Sequence, residues 1–259
     1  MKVWRNSIRG CRKSSINLHD LLRRQASGDW HKAQGNKEKL HLIIAMGKPY
    51  SEISWTNEEK EFLKRFKDPW SIQVFLDSIA YNPAYECRSP RWVIRKLSAH
   101  CFEGALFAAA ALNFIGYKPL IVDMKAFNDD DHVIAVFREG RNWGAVAKSN
   151  FTTLRFREPV YRSLRELIMS YFDFFFNIHG EKSLRSYSLP FNLTSLDKRN
   201  WAITDEDLEF IGDKIEALHH FPVVSEERIK KLNIAGDYML RAGMLGSIEE
   251  GLFKPSKLK

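Results

Sequence analysis

Cysteine is scarce: the 259 residues include three, Cys11, Cys87 and Cys101. An odd, sparse set in a chain this long excludes a disulfide framework and fits a reducing compartment, so a cytoplasmic location is expected. No CxxC or paired-histidine spacing occurs, so neither a metal nor another cofactor is expected. Long apolar runs are missing as well. The longest, Ala105–Leu112, falls far short of the ~20 residues that cross a bilayer, so no transmembrane segment is expected. The first residues carry no apolar stretch of the secretory type, and no secretory signal is expected. The 14 Gly and 9 Pro show no period, which excludes collagen-like and low-complexity classes.

Aromatic residues, by contrast, are plentiful: 18 Phe, 8 Tyr and 7 Trp supply a sizeable core and exclude disorder throughout. The length corresponds to one or two domains. The formal net charge is +8, and all of it lies in residues 1–48, which hold 11 Lys/Arg against 3 Asp/Glu. The other 211 residues are neutral overall. The charge therefore describes a separable basic segment, taken as 1–55 and partly ordered. It has no run of interleaved aromatics and no recognisable nucleic-acid motif, so nucleic acid is only the weaker alternative as a partner, through residues 1–48.

Capping signals set the element starts. Thr56 with Glu59 forms a capping box, and Asp68-Pro69 and Ser89-Pro90 each read as an N-cap followed by Pro at the first helical position. Cys101–Ile115 is an Ala-rich helix stopped by Gly116. Strands are expected at Pro119–Met124, His132–Arg138 and Trp143–Lys148, the last two joined by the turn Glu139–Asn142. From Glu158 to about Asn177 the apolar spacing of Val160, Leu164, Leu167, Ile168, Tyr171 and Phe172 predicts a helix. Residues 180–200 read as loop. Helices are expected over 205–218 behind Thr204, after Ser225, and over 234–248.

Chemistry concentrates at Cys101. A thiol at a helix N-terminus meets free N–H groups and the positive end of the dipole, which favour thiolate. His132 opens a strand 31 residues later, and a Cys–His pair is the activated-nucleophile arrangement of acyl transfer. A third group that orients the imidazole is expected on the next strand.

The stretch Ala-His-Cys-Phe-Glu-Gly-Ala, with Cys101, Ala105, Gly116, the strand start Asp131-His132 and the return-strand Trp143, resembles the transglutaminase-like superfamily. The likeness covers roughly 50 residues closely and about 100 loosely, in the manner of an uncharacterised bacterial branch. It implies an α+β, papain-like core over 56–178, with a helical region over 179–259. It also implies a Cys–His–Asp/Asn triad acting on amides. Where such proteins carry the aspartate, this chain has Ala147, followed by Lys148, Ser149 and Asn150. The orienting group is then expected to be Asn150 or Ser149. Trp143, Glu103 and His100 are candidates for substrate contact, and a peptide or amide-containing small molecule is the expected substrate. The alternative is a catalytically silent binding or scaffold module of the same fold. Neither the oligomeric state nor the choice between hydrolysis and transfer follows from the sequence.

Overall fold

A computed structural model describes residues 53–255. The basic segment over 1–48 and Cys11 lie outside the described residues.

The helical starts form as their caps direct. Thr56 Oγ1 accepts the Glu59 N–H at 3.2 Å, and Glu59 Oε2 accepts the Thr56 N–H at 2.9 Å, opening α1 (Asn57–Leu63). Asp68 caps α2 (Pro69–Ser78), accepting the Ser71 N–H at 2.7 Å. After the short strand β1 (Ala80–Tyr81), Ser89 precedes α3 (Pro90–Lys96) without a side-chain cap, and its hydroxyl has no hydrogen-bond partner among the described residues. Arg91 on α3 instead grips Glu59 of α1 with two bonds, at 2.6 and 3.0 Å. Next come β2 (Ser98–Ala99), parallel to β1, and α4 (Cys101–Phe114). The helix α4 is apolar all round and buried from Phe102 to Asn113, as a helix without a polar face must be. It ends at Ile115, and Gly116 takes φ +98°.

The strands β3 (Leu120–Ala126), β4 (His132–Glu139), β5 (Asn142–Val146) and β6 (Arg157–Tyr161) form an antiparallel meander. Gly140, at φ +58°, occupies the first central position of the two-residue turn between β4 and β5. A helix α5 (Leu164–Phe172) follows, and then β7 (Leu184–Ser188), β8 (Phe191–Asn192), α6 (Glu209–Glu216) and β9 (His220–Pro222). The sheet order is β6-β5-β4-β3-β7-β9, with β8 also paired to β3. Two short helices, α7 (Glu226–Ile229) and α8 (Asp237–Gly243), complete the chain of elements.

The central strands are buried on both faces. Ile121, Val133, Ala135, Phe137 and Val146 pack with α1–α4 and with Leu193, Trp201 and Ile211. Val122, Met124, Ile134, Val136 and Ala145 pack with Leu167, Ile168 and Tyr171 of α5. The alternation is the period-2 signature of a strand, with helices on each side. The architecture is α+β.

Three expectations are corrected. Residues 157–161 are an edge strand, with Ser163 capping the helix that starts only at Leu164. The helical spacing of Val160 misled because Val160 is exposed and takes no part in the α5 stripe. Residues 179–259 are not a helical region beside the core: β7 and β9 extend the same sheet, and β8 pairs with β3. The helix expected over 205–218 starts at Glu209, because the Thr204 hydroxyl is taken up by a local turn to the Glu206 N–H.

Candidate functional site

Cys101 is the first residue of α4 and His132 the first of β4. Both line one cavity of about 50 Å³, together with Tyr81, Asp129–Asp131, Ser149, Asn150, Phe175 and Gly251. They reach it from opposite sides. Strand parity puts the His132 ring on the α5 face with Ile134, edge-on to Phe175 at 6.2 Å, while α4 packs on the other face. The helix start therefore does not lie over the histidine as a simple helix-on-hairpin unit would have it. At the start of β4 the Cys101 thiol donates to the Asp131 carbonyl at 3.9 Å, and no hydrogen bond joins it to either ring nitrogen of His132.

The hydrogen bonds of His132 assign its tautomer. Its Nε2 lies 2.9 Å from the Leu154 carbonyl oxygen. A carbonyl only accepts, so Nε2 carries the proton and Nδ1 keeps its lone pair. Among the described residues, Nδ1 has no hydrogen-bond partner. Burial lowers the pKa of His132 to about 4, the Leu154 bond working against that shift and the Arg157 charge adding to it. Burial also raises the Cys101 thiol to about 12; the Val133 and Phe102 N–H groups oppose this, and the carboxylates of Asp130 and Asp123 reinforce it. The resting pair is thus thiol and neutral imidazole.

The groups expected to orient His132 are engaged elsewhere. Asn150 bonds the main chain of Ile248, donating Nδ2 to its oxygen at 2.9 Å and accepting its N–H at 2.9 Å. Ser149 Oγ accepts the Phe151 N–H at 3.0 Å. Neither bonds His132. Strand β5 ends at Val146, so residues 149 and 150 belong to the following turn rather than to a partner strand. At the position where the resemblance expects an aspartate, Ala147 packs in the α5 layer, and its N–H and C=O pair with the Gln73 side chain at 3.0 and 2.9 Å.

The substrate-contact candidates are corrected too. Glu103 is fully buried, and its oxygens accept from Asn82 Nδ2 (3.0 Å), the Arg88 N–H (3.2 Å) and the His100 N–H (3.1 Å). It pins the loop 82–88 to the start of α4. The His100 ring is engaged by the Glu86 carbonyl at 3.0 Å and does not line the cavity. Trp143 pairs with Arg138 across the β4–β5 ladder, at the turn end of the hairpin, with the Arg138 guanidinium 5.0 Å from its ring. Six residues of strand from His132 put it roughly 20 Å away.

Four supports of the site escaped the sequence reading. Lys148 is buried, and its ammonium donates to the Leu76 and Ile79 carbonyls at 2.7 Å each, closing the C-terminus of α2; burial lowers its pKa to about 8. Gly104 lets α4 approach this side chain: a Cβ there would stand 2.3 Å from Lys148 Cβ. Gln73 was detectable in principle, as a polar residue one position from Ile72 and three from Leu76 on a buried stripe. The Leu154 carbonyl had no signal, since every residue carries one.

No group of His, Cys, Asp and Glu side chains able to hold a metal occurs among the described residues. No helix among them is long and apolar enough to cross a membrane. The chain matches no protein-family model, and it matches no curated protein.

Proposed function

We propose that the protein is a cysteine-dependent acyl-transfer enzyme or hydrolase acting on amides, built on a transglutaminase-like, papain-like core. One observation carries the reading: Cys101 at a helix start and a His132 whose free nitrogen is Nδ1 share one cavity. Cys101 is the nucleophile. His132 Nδ1 takes the thiol proton as sulfur attacks the substrate carbonyl, then returns it to the leaving amine. The Leu154 carbonyl fills the orienting role, holding Nε2–H as a side-chain amide does in related chemistry. The Cys101 N–H, one of the unpaired donors of a first helical turn, faces the developing oxyanion. The charged pair forms only during reaction, because both groups are neutral at rest.

The reading is tested by acylation with p-nitrophenyl acetate near pH ~7.5, followed at each cysteine by mass spectrometry. Burial raises both thiols to about 12, so Cys101, which shares a cavity with His132, is expected to acylate while Cys87, outside that cavity, does not. Replacing His132 by Ala slows Cys101 acylation about 100-fold. Equal rates at Cys101 and Cys87, indifferent to His132, overturn the proposal. They would favour the silent binding module, to which the neutral resting pair already lends weight.

A further inference from the structure

The residues around Asn150 form a second feature of the same cavity. Ile248 is extended, at φ −104° and ψ 141°, and Asn150 exchanges two hydrogen bonds with its N–H and C=O; the chain then turns through a short 3-10 helix, Glu249–Gly251, whose Gly251 N–H donates to the same carbonyl at 3.2 Å. That is the reciprocal pair of an antiparallel ladder, reproduced by one side-chain amide. It reads main chain and ignores the Ile248 side chain. Three residues on, Gly251 passes so close to Tyr81 that a Cβ would stand 2.6 Å from Tyr81 Cε1 and 3.0 Å from Asn150 Nδ2. Gly251 and Phe253 then form part of the wall of the Cys101–His132 cavity. Upstream, Thr152 Oγ1 donates to the Leu245 carbonyl at 2.6 Å, and Gly243 abuts the Phe176 ring. The cavity left beneath, about 50 Å³, has room for a water or two and not for a peptide unit with its side chain.

We infer that Asn150 is a main-chain subsite that pairs with one extended residue of a peptide beside Cys101, a place taken here by Ile248 at the head of the chain's own segment 248–253. An incoming peptide would exchange with that segment, pair its backbone with Asn150, and lie along Tyr81, where glycine fits best. The chemistry then done on the peptide rests on the Cys101 proposal; the contact itself does not.

The experiment follows iodoacetamide labelling of Cys101 in the full chain at one pH. The probe is the blocked hexapeptide acetyl-Ile-Glu-Glu-Gly-Leu-Phe-amide. Gly251→Val, which drives a branched side chain into Tyr81, is expected to label about tenfold faster than the parent. Thr152→Val, which removes only the Leu245 bond, labels a few-fold faster. The hexapeptide slows labelling of Gly251→Val and fails to slow the double variant Asn150→Ala/Gly251→Val. Unchanged labelling in Gly251→Val and Thr152→Val alike overturns the inference. So does a hexapeptide without effect on Gly251→Val, or one that protects equally with and without Asn150. If Gly251→Val does not fold, Thr152→Val with and without Asn150→Ala carries the same comparison. Adding His132→Ala separates the two proposals: labelling that gains from opening but ignores His132 sinks the catalytic reading and leaves the subsite standing.

Discussion

Two histidines sit on this sheet, His132 buried and His220 half-buried, with opposite chemistry. His220 on β9 has both ring nitrogens engaged, Nδ1 by the Leu218 carbonyl at 2.8 Å and Nε2 by the buried Asp123 carboxylate at 3.0 Å. Lys125 joins the cluster, 3.4 Å from Asp123 and 2.7 Å from Asp131. His132 has one nitrogen engaged, by a backbone carbonyl, and no carboxylate bonded to its ring. By pattern alone the His–Asp pair looks the more catalytic, yet both of its ring nitrogens are bonded and none is left to move a proton. The open nitrogen belongs to the histidine that shares a cavity with a thiol. A missing partner, and not an extra one, leaves His132 the open nitrogen that the proposed proton transfer needs.

The sharpest way to break this contrast is to remove each ring in turn. His132→Ala is expected to slow Cys101 acylation about 100-fold. His220→Ala should leave acylation within a factor of about two, and cost about 1–3 kcal/mol of stability by leaving a buried carboxylate short of a partner. Equal kinetic losses would erase the distinction.

The next effect is on pH dependence. The folded pKa of His132, about 4 against an ordinary 6.5, means the native state binds fewer protons there. Its contribution to stability is complete above pH 6.5 and is lost as pH falls toward 4, about 3 kcal/mol in all. Asp129 runs the other way. Burial raises it to about 6 from an ordinary 3.8, Ser183 and the Asp130 N–H opposing, so its contribution fades as pH rises over the same window. The parent should therefore look flat between pH 4 and 6 in urea titrations, as far as these two groups decide it. His132→Gln, which keeps a donor for Leu154, should tilt the profile toward greater stability in acid, and Asp129→Asn toward greater stability near neutrality. Two variants tilting the same way would refute the assignment.

The smallest effect concerns two helical glycines, one tightly packed and one open. Gly104 on α4 has Lys148 Cβ in the way of a new methyl, and Gly212 on α6 has nothing within 4 Å. Gly104→Ala should cost about 1–3 kcal/mol, and Gly212→Ala should gain about 0.5–1 kcal/mol. Thermal melts of the pair measure both signs.

How much of this was legible beforehand follows from range. Thr56, Asp68 and Gly116 act within four residues of themselves, so the sequence places them and the structure agrees. The strand starts at Leu120 and His132 and the hairpin turn follow for the same reason. The edge strand β6 and the strands β7 and β9 were missed. An edge strand needs only one neighbour, and in β6 exposure alternates with the apolar Val160 on the exposed side and Arg157 on the covered one, so hydrophobicity does not mark the period. At the site, Cys101 and His132 were found from their element starts. Asn150 was found as an orienting group for His132, a role it does not fill. Its 98-residue reach to Ile248 exists only once residues 244–253 return to the cavity.

By itself, then, the sequence determined the caps, the all-apolar helix that must be central, and the thiol at its start, because each follows from neighbours a turn or a strand away. Tertiary structure alone decided that the His132 ring lies on the far face from that helix, that Leu154 holds it, and that the chain's own residues 248–253 stand beside the thiol. Those depend on which backbone groups long-range packing brings together, and the main chain of Leu154 or of Ile248 looks the same in every sequence.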